Sequence, residues 1–390
     1  MINKEDFKIL QGNALDVLKT LPDKSIQMCV TSPPYYNLRD YGTATWVGGD
    51  PNCNHYRDSK YSENCATGHK HMMEQGEAVG DAIYKTVCPK CGAVRIDEQI
   101  GLEETPDEYI QRLVDVFREV KRVLKDDGTL WINIGDTYNG TKAGNDDKKN
   151  SPILREEMDG YVKHIWSGAK NKDLIGIPWM LAFALRADGW YLRQDIIWDK
   201  SGNAMPESVT DRCTKAHEYV FLLSKSPKYL FNYDAIKEPV KEVSLKRAQY
   251  GWHGKGVDGT GNYAGLGQLE DGEMLGRMVH EDGRHKRDVW HINTNSYSGA
   301  HFATYPEELV VPCLLAGSNE GDTVLDVFNG AATTGIVAIK NNRKYIGIEL
   351  NPKYVKLSNE RFNSVFNGLE PLSEPVVSEG MRKTDLLEDI

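Results

Sequence analysis

The chain has 390 residues, 40% of them hydrophobic and 27% charged, which are ordinary globular values and exclude low-complexity disorder over most of its length. Its formal net charge of −10 excludes a uniformly basic coat, but it leaves room for nucleic-acid contact through local clusters of Lys and Arg. No apolar run approaches the ~18 residues of a membrane span, and Met1-Ile2-Asn3-Lys4-Glu5-Asp6 lacks a signal-peptide pattern, so a soluble, cytoplasmic protein is expected.

The length allows two or three units of roughly 150 residues, or one large α/β domain carrying insertions. Short apolar runs alternate from Phe7 to Thr31, with a turn at Pro22-Asp23-Lys24, and Ser25 to Val30 has the length and apolarity of a buried strand. It stops at Thr31-Ser32-Pro33-Pro34-Tyr35-Tyr36. Two prolines in a row lack N–H donors and fix φ, so the chain must leave the sheet there, at the edge where open α/β sheets bind ligands.

Residues 43–98 have little periodicity and look like an insertion. Four of the seven cysteines, Cys53, Cys65, Cys88 and Cys91, fall in it with His55, His69 and His71. In a reducing compartment such a cluster reads as a metal site. Cys88-Pro89-Lys90-Cys91-Gly92 is a zinc-knuckle turn, and Cys53 with His55 completes a structural Cys₃His set, with Cys65, His69 and His71 as alternatives for the first pair. Cys29, Cys213 and Cys313 are expected to be packed or incidental.

Thr105-Pro106-Asp107-Glu108 opens a helix whose apolar positions run Ile110, Leu113, Val114, Phe117, Val120, Val123 and Leu124. Asp126-Asp127-Gly128 ends it, and Thr129 to Ile134 is the next strand. After a polar loop a helix is predicted over Pro178 to Ala187, then strands over Tyr191 to Trp198 and Tyr219 to Leu223. Lys241 to Arg287 is rich in Gly and charge and reads as irregular. A strand over Thr323 to Phe328, a turn at Asn329-Gly330, a helix over Ala331 to Asn341 and a strand over Lys344 to Glu349 close the pattern. The tail beyond Phe362 is acidic.

The last three elements form a half-Rossmann nucleoside-binding unit, with a small-residue turn at the helix start and an acid, Glu349, about 20 residues on to accept from ribose hydroxyls. Its single glycine disfavours NAD. Ser32-Pro33-Pro34-Tyr35 at a strand end resembles the catalytic motif of the amino-methylating DNA methyltransferases. Asp326-Val327-Phe328-Asn329-Gly330 with Thr333 and Thr334 resembles their cofactor motif. The order of the two resembles that family's circularly permuted β group, and the likeness spans about Leu10 to Asn359. Val327 and Ala332 depart from it, standing where a proline and a second glycine are usual.

The resemblance implies a Rossmann-like, mostly parallel sheet of the seven-stranded type with helices on both faces, and S-adenosylmethionine as cofactor. It implies a catalytic half in residues 1–42 and 99–240, the zinc-binding insertion in 43–98, a target-recognition segment in 241–298, a cofactor half in 299–362 and an acidic tail in 363–390. Ser32 and the Pro33 carbonyl would accept from the target amine, with Pro34 stiffening the turn. Tyr35 would stack on a base flipped from duplex DNA, helped by Tyr36. Cofactor contacts are expected from Asn13 or the competing Asp16, Thr31, Thr304 in the stretch His301 to Pro306, Asp326, Phe328, Gly330, Thr333, Thr334, Glu349 and Asn351. Trp198, Lys200 and Thr214 to Tyr219 would border the base pocket, with His217 not needed as a base.

DNA phosphates would meet Lys246, Arg247, Lys255, Arg284, Lys286 and Arg287. In this family serine before Pro-Pro-Tyr goes mostly with cytosine N4 and aspartate with adenine N6, so cytosine N4 is expected and adenine N6 is the alternative. A cognate restriction endonuclease is a candidate partner. The competing class is a zinc-containing nucleic-acid-binding protein on an inactive Rossmann scaffold.

Overall fold

A computed structural model describes residues 4–38, 41–55, 84, 86–140, 166–204, 207, 209–240, 283–294 and 304–368. Cys65, His69, His71, Lys246, Arg247, Lys255, His301 and most of the acidic tail lie outside them. The main strands are β1 (Phe7–Gln11), β2 (Ile26–Thr31), β5 (Leu124–Ile134), β6 (Tyr191–Asp199), β7 (His217–Ser224), β8 (Val289–His291), β9 (Thr323–Asp326) and β10 (Lys344–Glu349). They form one sheet in the order β1-β10-β9-β2-β5-β7-β6-β8. Only β7 runs antiparallel to its neighbours.

β2 is central, and all six of its residues are buried, which explains why it is apolar at Ile26 and from Met28 to Val30. β5 begins five residues earlier than the Thr129 expected, because the chain enters the sheet at Leu124 and the Asp126-Asp127-Gly128 turn signal is carried inside the strand. The predicted helix before it is α2 (Pro106–Val123). Thr105 caps it reciprocally with Glu108, and a buried face including Tyr109, Leu113, Phe117 and Val120 packs on the sheet.

Alongside α1 (Ala14–Thr20) and α3 (Ile177–Ala187), α2 covers one face. The Asp136 carboxylate caps the start of α3 from the loop after β5, accepting from the N–H groups of Gly176 and Ile177. On the other face α4 (Glu307–Gly317), α5 (Thr333–Lys340) and α6 (Pro352–Phe366) pack around Met28, Val30 and Trp131.

Two boundaries shift. The residues of β8 come from the stretch read as a recognition segment, yet they pair with the end of β6 as the sheet's edge. α6 continues past Phe362 to Phe366 because Val365 is buried beside Phe362, so the start of the acidic tail is helix. Outside the main sheet, β3 (Thr45–Val47) and β4 (Val94–Ile96) form a two-stranded antiparallel hairpin at the roots of the insertion. Among the described residues no helix is long and apolar enough to cross a membrane.

Candidate active site

Because seven strands are parallel, their carboxyl ends lie along one edge, and a single cavity of about 860 Å³ opens there. The ends of β1, β10 and β9 supply Asn13, Glu349, Phe328 and Gly330, and that of β2 supplies Ser32, Pro33, Pro34 and Tyr35. β7 is antiparallel, so it is its beginning that reaches this edge and brings Glu218 beside Tyr35.

At the nucleoside end Gly330 sits in the left-handed region at φ 50° and donates its N–H to Glu349 Oε2 at 2.8 Å. Asn351, the cap of α6, donates its N–H to Glu349 Oε1 at 2.8 Å. Burial pushes the Glu349 carboxyl up to about 7, against the pull of these two N–H groups. Ala332 also adopts a left-handed φ of 60°, where the related motif carries glycine, at a cost of about 1 kcal/mol.

Asn13, Thr304, Phe328, Gly330, Thr333, Glu349 and Asn351 all line the cavity. Four other residues expected at the cofactor do not. Asp16 is exposed on α1 and pairs with Lys19, because helix geometry turns it away from the Asn13 cap. Thr31, Asp326 and Thr334 lie beneath the floor. Asp326, fully buried, accepts from Thr31 Oγ1 at 2.6 Å, from the Phe328 N–H at 3.0 Å and from the Tyr305 hydroxyl at 3.0 Å. Thr334 bonds the same Tyr305 hydroxyl. These groups join β2 to β9, and Tyr305 itself reaches the cavity wall.

At the other end the Tyr109 hydroxyl occupies the Pro34 carbonyl at 2.8 Å, while among the described residues the Pro33 carbonyl accepts no hydrogen bond. Tyr35 donates its hydroxyl to Glu218 Oε2 at 2.6 Å and also faces Asn133 Oδ1 at 3.2 Å. Burial, then the Glu218 carboxylate, push that hydroxyl well above its ordinary range, so it remains a donor. Glu218 also accepts from Asn133 Nδ2 at 3.1 Å and pairs with Lys200, which lies over the Trp198 ring.

The cavity thus brings Ser32 and the Pro33 carbonyl, the anchored ring of Tyr35 and the turn joining Gly330 to Glu349 into one space. A family model described as DNA methylase matches residues 26–360. The chain belongs to this N6/N4 DNA methylase family. It is 39% identical over 355 residues to the type II methyltransferase M.Cfr9I of Citrobacter freundii, covering 90% of this chain and 86% of that one. It is 40% identical over 356 residues to the type II methyltransferase M.XycI of Xanthomonas campestris pv. cyanopsidis, covering 90% and 86%. With the type II methyltransferase M.SmaI of Serratia marcescens the identity is 37% over 362 residues, covering 92% and 91%.

Sequence reasoning missed two residues that meet Tyr35. Asn133 and Gly135 were only the end of a strand and the start of a loop, whereas Glu218 fell within the Thr214 to Tyr219 stretch expected to border the base pocket, with no role of its own, and it lines the cavity. The signal for Glu218 was the acid at the start of an apolar strand, and it carries no meaning until β7 is known to be antiparallel. Trp198 and Lys200 line the cavity as expected.

Tyr36 does not face DNA. It is 1% exposed, packs on Tyr109 and donates to the Glu104 carbonyl at 3.1 Å, because the turn after Pro34 points alternate tyrosines to opposite sides. Arg284 and Lys286 share the single carboxylate of Glu238, at 3.2 and 3.6 Å, which matches one of their two charges; Arg287 is exposed.

In the insertion Cys53, His55, Cys88 and Cys91 come together, their donor atoms all within 4.8 Å of one another. Cys53 Sγ lies 3.7 Å from Cys88 Sγ, and Cys91 Sγ lies 3.6 Å from His55 Nδ1. A tetrahedron with Zn–S near 2.3 Å and Zn–N near 2.0 Å has edges of about 3.8 and 3.6 Å, so the donor set fits zinc. Gly92, at φ 75°, makes the knuckle turn and donates its N–H to the Cys88 carbonyl at 2.7 Å. Trp46 stacks on the His55 ring at 4.2 Å.

Proposed function

We propose that this methylase transfers the methyl group of S-adenosylmethionine to N4 of a cytosine swung out of duplex DNA. The observation that supports it is the continuity of one cavity from Gly330 and Glu349 to Ser32 and the Pro33 carbonyl. When bound, S-adenosylmethionine supplies a methyl group on a sulfonium, an electrophile that needs a localised lone pair. An exocyclic amine has its lone pair conjugated with the ring, and acceptors on its two N–H bonds favour the localised form.

Ser32 Oγ and the Pro33 carbonyl are those acceptors, the Pro34 carbonyl being taken by Tyr109. Tyr35 offers its ring face to the base, which must leave the stack to reach this depth. With the cofactor bound, the methyl would pass without electrons, the C–S pair staying on sulfur while the nitrogen lone pair forms the new bond, and one N–H proton would leave along the hydrogen bond to Ser32 Oγ and on to solvent. The amine, cationic once methylated, is acidic enough to need no strong base, which agrees with a site that offers Ser32 instead of a free carboxylate. Serine at position 32 supports cytosine over adenine. An inactive binding scaffold would have no reason to keep the acceptors and the nucleoside turn in one space.

The test is methylation of duplex DNA with labelled cofactor, followed by mass identification of the modified nucleoside. N4-methylcytosine is expected; N6-methyladenine would overturn the target base, and no labelled product with any nucleic acid would sink the enzyme reading. The type II relatives support a setting in restriction–modification, with an endonuclease whose site this methylation protects. Zn²⁺ held by Cys53, His55, Cys88 and Cys91 completes the reading. It stabilises an insertion too poor in apolar residues to fold alone.

The Glu349 carboxyl makes cofactor binding pH-dependent. Ribose hydroxyls donate to the ionised form, and below about 7 the group is increasingly protonated in the ligand-free protein. Affinity for S-adenosylhomocysteine should therefore fall by up to about tenfold per unit as pH drops below 7, and Glu349→Gln should flatten the profile. Titration calorimetry from pH 5.5 to 8.5 reads this. The same shift, from 4.5 unfolded to about 7 folded, makes the ligand-free protein lose stability as pH rises through that window.

A further inference from the structure

We propose that Tyr41, Glu98 and Gln99 are the wall of the cofactor cavity beside Glu349 and Asn351, and that zinc at Cys53, His55, Cys88 and Cys91 holds this wall in register, so that metal occupancy sets cofactor affinity. The proposal rests on the cofactor and metal readings above. Both arms of the β3–β4 hairpin run into the cavity, Tyr41 and Thr43 from one side and Glu98 and Gln99 from the other.

The arms are tied to each other and to the nucleoside end. The Tyr41 N–H donates to Gln99 Oε1 at 2.7 Å, and Thr43 Oγ1 faces Asp97 Oδ1 at 3.3 Å. Asn351 Nδ2 donates to the Tyr41 carbonyl at 3.2 Å, and the Asn351 N–H is already on Glu349. Tyr41 is thus one bond removed from the cap that holds the ribose-binding acid.

The two arms are not equally secured. Arg112 on α2 fastens the second, its guanidinium donating to the carbonyls of Glu98 at 3.0 Å and Gln99 at 3.2 Å. The first arm is joined to the nucleoside end through Asn351 and the edge-on contact of the Tyr41 ring with Tyr354 on α6, and to the second arm by strand pairing. That pairing spans only Thr45–Ile96, Trp46–Arg95 and Val47–Val94, with Val47, Val94 and Ile96 each more than 40% exposed. A two-stranded hairpin without a core is marginal in water. The four metal donors sit just beyond its far end, two following β3 and two preceding β4, so a bound ion cross-links the arms and its binding energy becomes hairpin stability. The roots of the insertion thus wall the nucleoside end.

The test compares S-adenosylhomocysteine binding, by calorimetry, to the zinc-loaded full-length protein, to protein stripped with a chelator, and to stripped protein given back zinc. Stripping is expected to weaken binding at least tenfold and zinc to restore it, while far-UV circular dichroism keeps the α/β signal. Cobalt in place of zinc should give the visible bands of a tetrahedral Cys₃His site. Equal affinity with and without metal would overturn the coupling, and failure to take up one equivalent of zinc or cobalt would overturn the metal reading with it. No binding even when zinc-loaded would instead defeat the cofactor reading. If stripping unfolds the whole chain, Gln99→Ala decides: it should keep one zinc and bind S-adenosylhomocysteine several-fold more weakly, and unchanged affinity in that variant would overturn the proposal.

Discussion

Gly135→Ala is expected to lower the methyl-transfer rate by about 10²- to 10³-fold while leaving cofactor affinity unchanged. A Cβ at position 135 would lie 2.7 Å from Tyr35 Cε2, a distance real Cβ atoms essentially never show, and 3.2 Å from Cδ2, a tight contact. The ring cannot step aside cheaply, because its hydroxyl is held by Glu218 and faces Asn133. Either the ring slides into the space the base must occupy, or the hydroxyl leaves its anchor and the ring turns. Both displace the stacking face by about 1 Å, and misplacement of that size costs about 10²-fold or more. Overpacking adds about 1 to 3 kcal/mol of destabilisation. Nothing changes at Gly330 or Glu349, so calorimetry with S-adenosylhomocysteine should give the parent value. A variant keeping a tenth or more of the rate would show that Tyr35 tolerates movement and does not orient the base.

Glu218→Gln is expected to cost about 10²-fold in kcat with a smaller change in KM for DNA, and Glu218→Ala more. The carboxylate receives the Tyr35 hydroxyl, Asn133 Nδ2 and the Lys200 ammonium together, with side chains of Lys200 and Glu218 only 20% and 15% exposed. An amide can still accept from one neighbour, but its NH₂ then confronts Lys200, donor against donor. Alanine leaves the largely buried Lys200 ammonium unmatched and the Tyr35 hydroxyl and Asn133 Nδ2 with only their weaker acceptors, Asn133 Oδ1 and the Tyr219 carbonyl, for which roughly 2 to 4 kcal/mol of stability is the expected loss.

Glu218 is a positioning residue, and a merely structural role is separated from it by a double-mutant cycle with Tyr35→Phe. If Glu218 acts through the Tyr35 hydroxyl, the two losses in kcat do not add. Fluorescence of 2-aminopurine at the target position, which reports how well the flipped base is stacked, should change in both variants alike. Additive losses with unchanged 2-aminopurine emission would refute the assignment.

Much of the framework was legible because it is written locally. β2 declares itself by a short, mostly apolar stretch stopped by Pro33-Pro34, and α2 by a capping box and helical spacing. The turn from Asp326 to Thr334 with Glu349 behind it forms a short-range unit, and the Cys88 to Gly92 knuckle needs only five residues. Elements with weaker local signals were not singled out: β1, α6, and β8, three residues that are a strand only because the edge of β6 is there to pair with them. Boundaries moved by a few residues where burial, as at Leu124 and Val365, outweighed a turn signal or a change in charge.

Side-chain direction was the least legible property. Thr31 and Ser32 are neighbours, yet one turns down to Asp326 and the other lines the cavity, because successive side chains along a strand alternate sides. Tyr35 and Tyr36 divide in the same way, so a motif that names both tyrosines cannot say which one meets the base. Asn13 and Asp16 were equal candidates in composition, and the helix cap separates them.

By itself the sequence determined the family, the order of its two motifs, the turn from Asp326 to Thr334 and the Cys88–Cys91 knuckle, since each is a local pattern whose chemistry follows from residue types at short spacing, while it left Cys53 and His55 in competition with Cys65, His69 and His71. Only the tertiary structure decided that Glu218 and Asn133 anchor Tyr35, that Gly135 lies against the Tyr35 ring, that Asp326 is a buried strut, that Cys53 and His55 are the pair beside Cys88 and Cys91, and that the roots of their hairpin line the cavity beside Glu349. These depend on β7 lying antiparallel between β5 and β6, and on distant segments meeting at one sheet edge. The net charge of −10 could indicate none of this, because recognition is set by where a few groups converge and not by their sum.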